Sequence, residues 1–473
     1  MTLLKLQDVL GKAEVTLMGL NIDIITETEE KEPIDTDGIL YTDSRGKQHL
    51  NYGKFIDAFI AENQCVYANG LFYTPGGAKS VGSVRKDISD SLKEGGWTDK
   101  LDVPTNSLLN SIKDTSYIDR FDIDIARIPL DNGEMFAPQS GKWSFYLDTK
   151  YNTPYRLSAT FTPKPSKTPL FDKWLHDVFE DEDIPTVQEI LGYSLVPITS
   201  AQEAFFIVGD GRVGKSVIGV ILEHLLGNAY LSIDTKNFVE QRFQIAQAEN
   251  KLVLYDDDMK DASFESTSLL KKLITADTDI PAERKGRDPY TFRSYAKIIA
   301  CANTMPSALY DNTNGFFRRI HPIKTKAPDP RRKIIDKFGK KMMAKESEGV
   351  FYWALEGLRR LMDNNWKTTW SERSREFMND TKVKTLNFPD FVGDVLVVGE
   401  GDISSKELYQ VYKRWCQENA LFAVKPQTLS QWFNDNAGNY SFARSENIIR
   451  HGKRVRGYKN LSLTKEWNTT YVL

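Results

Sequence analysis

The sequence predicts an α/β protein, with an α/β core between an N-terminal α+β domain and a basic C-terminal domain. Between residues 204 and 323, apolar runs of strand length alternate with runs of helical periodicity, which is typical of α/β cores. The chain of 473 residues is also too long for one hydrophobic core. We expect the N-terminal domain at 1–165, the core with helical elements on both sides at 166–365, and the C-terminal domain at 370–473.

The N-terminal region contains short strand-like pieces and a proline-rich connector. Residues 71–74 have the pattern of a strand that ends at a turn of proline and two glycines, and three prolines lie between 161 and 169. Asp122 and Asp124 form a DxD pair of the kind that can bind metal. Because no histidine or third carboxylate block accompanies them, we interpret the pair as structural. Primer synthesis is therefore not expected of this chain.

The composition excludes several classes of protein. No apolar run approaches the ~18 residues that a membrane span requires, and the first residues lack the apolar core of a secretory signal. Cys65, Cys301 and Cys416 lie far apart, so neither a disulfide framework nor a structural zinc site is expected. We expect a cytoplasmic protein in a reducing compartment.

A glycine-rich segment follows the first apolar run of the core. Residues 204–208 are apolar, residues 209–216 match the pattern GxxxxGK[ST], and residues 217–222 have a helical pattern. In this context the pattern binds phosphate, because backbone N–H groups and a helix N-terminus attract negative charge. Lys215 would reach the β and γ phosphates, and the Ser216 hydroxyl would bind Mg²⁺. The predicted ATP-binding residues are Gly209, Asp210, Gly211, Arg212, Val213, Gly214, Lys215 and Ser216.

A second apolar run, at 252–255, ends in three aspartates. Strands of α/β folds carry such carboxylates to the carboxyl edge of the sheet, where ligands bind. One acid would complete the Mg²⁺ shell, and another would orient the attacking water. We assign these roles jointly to Asp256 and Asp257. On strand alternation Asp258 would point away, unless the strand has already ended there.

Two further groups follow in the core. A third apolar run ends at Asn303, whose amide could orient water against the γ phosphate. Arg318 and Arg319 come about 15 residues later, and either could reach the γ phosphate held by a neighbouring subunit, as an arginine finger. Taken alone, the asparagine is equally typical of a turn, and the two arginines of a solvated surface.

Together these motifs resemble superfamily 3 helicases, and within them the phage and plasmid primase-helicase family related to the poxvirus primase-helicase. The resemblance covers about residues 120–470. It implies an AAA+-like P-loop ATPase that uses ATP and Mg²⁺, assembles as a hexamer and translocates on DNA from 3′ to 5′. Nucleotide would lie between subunits, so that Arg318 or Arg319 would act in trans. The four matching blocks are 209–216, 252–257, 298–303 and 315–319.

The resemblance extends to a basic hairpin between the second and third blocks. A helix-like run at 269–274 precedes a charged, glycine-containing turn at 283–289. In the family such a hairpin lines the ring channel and grips single-stranded DNA, and successive cations on a tight turn suit phosphate contacts. The alternative is a solvated charged loop. The expected DNA contacts are Arg284, Lys285 and Arg287.

The C-terminal region resembles a winged-helix DNA-binding domain. Ser404 can cap a first helix, a second helix can run from Pro426, and two short strands around Gly452 would form a basic wing. In such a fold the second helix enters a major groove and the wing contacts the backbone; the alternative is a winged helix used for protein contacts. The expected contacts are Thr428, Ser430 and Gln431 to bases, and Lys453, Arg454 and Arg456 to phosphates.

We therefore expect an ATP-dependent hexameric DNA helicase that initiates replication of a mobile genetic element, such as a phage or a phage-related chromosomal island, in the cytoplasm of a bacterial host. Its partners would be single- and double-stranded DNA including an origin, further copies of the chain, and a separate primase. Two alternatives remain open: an ATP-driven DNA translocase or loader that does not separate strands, and an origin-binding scaffold that ATP switches. A small-molecule kinase would need neither the basic hairpin nor the wing.

Overall fold

A computed structural model describes residues 12–17, 20–25, 37–147, 152–259, 268–286, 288–305, 318–331, 335–385, 388–419 and 423–469. These residues form a mixed α/β structure with a parallel central sheet, fourteen α-helices and twenty strands, so the α/β prediction is confirmed. None of the described helices is both long enough and apolar enough to cross a bilayer.

The first elements belong to two interleaved units. Strands β1 (Lys12–Leu17) and β2 (Leu20–Ile25) form an antiparallel pair. The next segment, which we call the N-terminal helical unit (residues 37–117), has three helices around its own apolar core. Its elements are β3 (Leu40–Thr42), β4 (Gln48–Leu50), α1 (Tyr52–Asn63), β5 (Val66–Ala68), β6 (Leu71–Thr74), β7 (Gly77–Lys79), α2 (Val81–Glu94) and α3 (Asp102–Thr115).

The N-terminal helical unit is inserted into a five-stranded sheet. After it come β8 (Arg127–Leu130), β9 (Gly133–Phe136) and β10 (Trp143–Leu147), and β10 pairs in parallel with β2. The strand order is β1-β2-β10-β9-β8. The buried residues of this sheet share one hydrophobic core with the helices that follow residue 165. The apolar core is therefore continuous across residue 165, whereas the helical unit has a separate core.

The central sheet consists of five parallel strands in the order β12-β13-β16-β11-β17. Its central strands are buried along almost their whole length, as expected for a parallel sheet covered on both faces. The elements are α4 (Pro169–Val178), α5 (Ile184–Tyr193), β11 (Ala204–Val208), α6 (Val217–Leu226), β12 (Tyr230–Ser232), α7 (Thr235–Glu240), β13 (Val253–Met259), α8 (Ser268–Thr275), β14 (Ile280–Ala282), β15 (Tyr290–Phe292), β16 (Lys297–Ala302), β17 (Ile320–Lys324) and α9 (Phe338–Asp363).

Helices α5 and α9 pack unusually closely on one side of this sheet. A Cβ added to Gly192 of α5 would lie 2.3 Å from the backbone nitrogen of Leu358 in α9, so a larger residue would separate the two backbones. Arg360 of α9 donates to the carboxylate of Glu189 at 2.8 Å. Close packing and this ion pair attach α9 firmly to the layer that carries α4 and α5.

The last unit has a core of its own. It contains a three-stranded sheet in the order β18-β20-β19. The capping box expected at Ser404 is present, because Ser404 Oγ accepts from Glu407 N and the Glu407 side chain accepts from Ser404 N. Helix α10 (Glu372–Thr385) precedes this unit and packs instead against the core of the central sheet, in which Met378 is buried. The elements of the last unit are α11 (Phe388–Val395), β18 (Leu396–Ser404), α12 (Ser405–Glu418), α13 (Pro426–Asn436), β19 (Ala443–Arg450), β20 (Lys453–Leu463) and α14 (Lys465–Thr469).

Candidate functional site

The glycine-rich loop 209–216 joins the carboxyl end of β11 to the first turn of α6. Its path depends on residues with little or no side chain at two points. Gly209 lies against Thr325, and an added Cβ would be only 1.9 Å from the Thr325 hydroxyl oxygen. Gly214 has a φ of 97°, a conformation that favours glycine. The loop is therefore a strand-to-helix turn of the kind that the sequence predicts.

Lys215 is the most enclosed charged side chain of the loop, with only 8% of its surface exposed. Its ammonium donates to the carbonyl of Gly209, to the carbonyl of Asp210 at 2.8 Å, and to Asn303 Oδ1 at 3.3 Å. The structure thus brings Lys215 and Asn303 together. Since an ammonium has three donors, oxygens of a bound anion could replace these neutral acceptors.

Asp256 and Asp257 lie in the second half of β13, on opposite faces of the strand. Asp256 is buried; it accepts hydrogen bonds from the backbone N–H of Thr235 at 2.7 Å and of Asp258 at 3.3 Å. Burial raises the pKa of Asp256 above its usual value, and the hydrogen bond from Thr235 partly offsets this. Asp257 is exposed and accepts from the Tyr255 hydroxyl at 2.9 Å.

Tyr255 connects Asp257 to the helix that follows the loop. Its ring packs so closely on α6 that a Cβ added to Gly219 would lie 2.3 Å from the ring. Its hydroxyl also lies 3.2 Å from Cys301 Sγ on β16. Asp257 therefore lies towards α6, whereas Asp256 lies towards the N-terminus of α7.

Three sequence motifs end at one edge of the sheet, which we call the carboxyl edge. Strand β16 lies between β11 and β13 and is parallel to both, with Val208 opposite Ala302 and Asp256 opposite Ala300. The loop, the paired aspartates and Asn303 consequently meet at this edge. Parallel strands with helical crossovers place ligands there.

Arg318 and Arg319 lie at the opposite, amino edge. They directly precede β17, whose first residue Ile320 pairs with Ala204, the first residue of β11. A five-residue strand at ~3.3 Å per residue separates the two edges by about 16 Å. The structure therefore does not bring either arginine to the loop of its own chain. Arg318 is exposed; burial, and then the neighbouring Arg318, lower the pKa of Arg319.

A cavity of about 770 Å³ lies beside the loop. One wall is α4, the floor is the loop itself, and the other wall is the segment between β17 and α9. Residues 327–330 of this segment include two prolines, which stiffen the wall. The side chains that line the cavity include Leu170, Lys173, Asp177, Arg212, Ser216, Arg331, Ile335 and Phe338.

The predicted basic hairpin is present as β14 and β15, which pair antiparallel. Lys285 is exposed near its tip, and Arg287 lies outside the described residues. Arg284 is engaged elsewhere. Its guanidinium donates to the carbonyl of Asn69 at 2.8 Å and to Glu249 at 2.5 Å, and lies 5.4 Å from the centre of the Tyr290 ring. Arg284 thus ties the hairpin loop to the N-terminal helical unit, and its DNA contact stays a prediction.

The C-terminal basic residues lie on the hairpin of β19 and β20. A two-residue turn with positive φ at His451 and Gly452 closes the hairpin. Arg450 pairs with Glu407 and Asp402 and so fastens the hairpin to α12 and β18. On α13, Gln431 is exposed, whereas Thr428 and Ser430 are half-buried. The predicted phosphate contacts Lys453, Arg454 and Arg456 are all exposed on β20, as is Lys459.

The chain is similar to several known proteins. Residues 207–319 match DUF5906, a family of unknown function. Over 250 residues the chain is 25% identical to "Putative helicase L207/L206" of Acanthamoeba polyphaga mimivirus. That alignment covers 47% of this chain and 25% of the viral protein, so the chain matches about a quarter of that protein's length.

Among solved structures, two of the apo C-terminal region of NrS-1 are similar to this chain. The A form has a TM-score of 0.46 at 12% identity and covers 86% of this chain and 98% of that one. A second structure, of residues 305–718 in that protein's numbering, has a TM-score of 0.44 at 13% identity, with the same coverage.

Sequence reasoning missed two parts of this region. Tyr255 was counted only as an apolar strand residue, although its position two residues before Asp257 places both side chains on one face of the strand. The cavity wall formed by residues 327–331 and 335–339 was also missed, and its only signal was the pair of prolines after β17. The contacts of Tyr255 with Gly219 and Cys301, and those that form the cavity, join segments that are distant in sequence.

Proposed function

We propose that the chain is an AAA+-like P-loop ATPase that acts as a DNA helicase. The observation that carries this proposal is the meeting of Lys215, Asn303 and the paired aspartates at the carboxyl edge. A lysine, an amide and two carboxylates around a glycine loop are the groups that phosphoryl transfer requires, since its catalysis consists of positioning and charge neutralisation. The similarity to a viral protein named as a putative helicase supports the same direction.

In this proposal ATP binds with its phosphates on the loop and its base in the 770 Å³ cavity. The residues also suit Mg²⁺, which prefers oxygen ligands: the Ser216 hydroxyl is exposed beside the loop, and Asp257 is an exposed carboxylate on the α6 side. Mg²⁺ would neutralise phosphate charge. Asp256, more enclosed and held by two backbone N–H groups, would orient the attacking water or the metal's own water.

The position of Arg318 and Arg319 supports a ring. An arginine at the amino edge is about 16 Å from the loop of its own chain, so it can meet nucleotide only in a neighbouring copy. A head-to-tail contact of amino edge against carboxyl edge repeats from copy to copy and closes a ring when the rotation allows. We propose a hexamer, by the resemblance to superfamily 3 helicases.

DNA would be bound at two places. Lys285, near the tip of the β14–β15 hairpin, would grip one strand inside the ring together with Arg287. The C-terminal unit would act as a winged helix at a replication origin. Helices α12 and α13 and the β19–β20 hairpin have the order of such a domain. By the same resemblance, the protein would belong to a phage or another mobile element and would translocate from 3′ to 5′. A separate primase would synthesise the primers.

The deciding experiment is ATP-dependent separation of a forked DNA duplex by the full chain and by Lys215→Ala. We expect the wild type to separate strands and the variant to bind DNA without separating them. A wild type that hydrolyses ATP and binds DNA, but never separates strands, would instead be a translocase or loader. A wild type that binds ATP and DNA without hydrolysis would be an ATP-switched scaffold.

A further inference from the structure

A buried tryptophan of α4 contacts the backbone of the candidate phosphate loop. Trp174 is fully buried, and its indole Nε1 donates to the carbonyl of Gly214 at 3.0 Å. Its ring packs against Phe171 and Phe179, with centroids 5.7 Å apart in both pairs. The indole is therefore held between aromatic neighbours, and its single N–H group donates its hydrogen bond to the loop.

Helix α4 is itself fixed to the rest of the molecule. The first backbone N–H groups of α4, at Leu170 and Phe171, donate to the buried carboxylate of Glu346 on α9, at 3.0 and 2.8 Å. A carboxylate at a helix N-terminus satisfies N–H groups that have no partner within the helix. Trp174, one turn further along α4, consequently has a fixed position relative to the loop.

The carbonyl of Gly214 accepts two hydrogen bonds, one from the Trp174 indole at 3.0 Å and a longer one from the backbone N–H of Val217 at 3.4 Å. The shorter bond, from the indole, contributes to the orientation of the next peptide group. A peptide bond is planar and trans, so the carbonyl of Gly214 and the N–H of Lys215 point in opposite directions. The indole holds the carbonyl towards α4, and the N–H of Lys215 must then point away from α4. Gly214 can rotate between such orientations more easily than other residues, and its φ is 97°.

We propose that Trp174 is a positioning residue of the phosphate loop, which holds the peptide between Gly214 and Lys215 so that its N–H faces the bound phosphates. This inference deepens the proposed function and rests on it, because it assigns phosphate binding to the loop. Trp174 touches no substrate itself. Its contribution is preorganisation, since a loop that already has the bound orientation loses less entropy when the anion arrives.

The test compares Trp174→Phe with Trp143→Phe in the full chain. Both replacements shrink a buried ring in the same hydrophobic core. Among the described residues, the indole nitrogen of Trp143 has no hydrogen-bond partner, so its replacement removes packing alone. The probes are ADP with Mg²⁺, and inorganic pyrophosphate. Pyrophosphate competes with ADP for the phosphate loop but leaves the 770 Å³ cavity proposed for the base empty.

We expect Trp174→Phe to bind ADP and pyrophosphate about fivefold more weakly than the wild type, which corresponds to one lost hydrogen bond. Trp143→Phe should bind both like the wild type. Loss of ADP affinity with unchanged pyrophosphate affinity would mean that Trp174 acts through the base cavity, and would overturn the inference. Equal losses of affinity in Trp174→Phe and Trp143→Phe would mean that only packing is affected, and would also overturn the inference.

A second variant guards against poor folding of Trp174→Phe. A benzothienylalanine at position 174 keeps the shape of the ring and replaces the N–H by sulfur, so it removes only the donor. It should show the same fivefold loss, and wild-type affinity would refute the proposed role. If the wild-type chain binds neither ADP nor ATP, the proposed function fails first. If both Trp174 variants bind nucleotide with wild-type affinity, the role of Trp174 is refuted while the proposed function stands.

Discussion

The close contact between Gly209 and Thr325 allows a test in which one substitution creates a steric clash and a second one relieves it. In Gly209→Ala the new Cβ would lie 1.9 Å from Thr325 Oγ1. Ordinary van der Waals contact begins near 3.4 Å, so the loop or Thr325, which directly follows β17, must move by about 1.5 Å. Misplacing a catalytic group by about 1 Å can cost roughly 100-fold in rate. We expect kcat/KM for ATP hydrolysis to fall by about that factor.

Thr325→Ala should repair much of this loss. It removes the hydroxyl, after which the nearest atom of residue 325 is its Cβ at 3.1 Å, and the neighbour needs to yield only a few tenths of an ångström. The backbone bond from Thr325 N to Val208 O at 2.8 Å stays intact. In Gly209→Ala/Thr325→Ala we expect a recovery of at least tenfold over Gly209→Ala.

The assay is steady-state ATP hydrolysis by all four proteins of the cycle, with thermal melting as the folding control. The single variant Thr325→Ala loses one side-chain hydrogen bond, to Lys326 O at 3.1 Å, and measures the cost of the repair itself. If Gly209→Ala hydrolyses ATP within about threefold of the wild type, the tight contact does not hold the loop. A double variant no better than Gly209→Ala would refute the steric reasoning.

Three other predictions follow from the same structure. Arg318→Ala and Lys215→Ala should each be nearly inactive as ATPases, yet a mixture of the two should regain activity if the arginine acts in trans; a mixture as inactive as its components would count against the ring. Asp256→Asn should abolish hydrolysis but raise the melting temperature at pH 7. Burial raises the pKa of Asp256 in the folded state, so the ionised carboxylate opposes folding at neutral pH. This penalty disappears as the pH falls below the ordinary carboxyl pKa near 3.8. A melting temperature that falls at pH 7 would show that the hydrogen bonds to Asp256 outweigh its burial. Replacing Lys453, Arg454 and Arg456 by alanine should lower the slope of log affinity against log salt for duplex DNA by about three, and an unchanged slope would remove this hairpin from the DNA interface.

The attachment of Arg284 suggests how the hairpin is coupled to the rest of the chain. Glu249, its partner, lies just before β13, the strand that carries Asp256, and Glu249 also accepts from the Tyr290 hydroxyl at 2.8 Å. Asn69 of the N-terminal helical unit contacts both Glu249 and Arg284. Glu249, Asn69 and Arg284 therefore join the hairpin loop, the N-terminal helical unit and the segment before β13 through one set of contacts.

Local signals in the sequence were sufficient for the elements that carry the chemistry. The loop before α6, the aspartates after an apolar run, the hairpin at 280–292 and the capped helix after Ser404 all lie within about ten residues of the features that predict them. Backbone propensity and hydrophobic period act over that range. These parts of the fold could be predicted because their causes lie beside them in the chain.

Contacts between distant segments decided the rest. The sequence indicates a basic turn at Arg284 and a basic strand at Arg450, but only the tertiary structure brings Glu249 to the first and Glu407 to the second. It alone places Arg318 at the edge opposite the loop, and Trp174 against Gly214. The physical reason is that a charge or a donor in a sequence has no partner until folding supplies one. Its use is set by whichever group lies within hydrogen-bonding distance, at about 3 Å, and not by its neighbours along the chain.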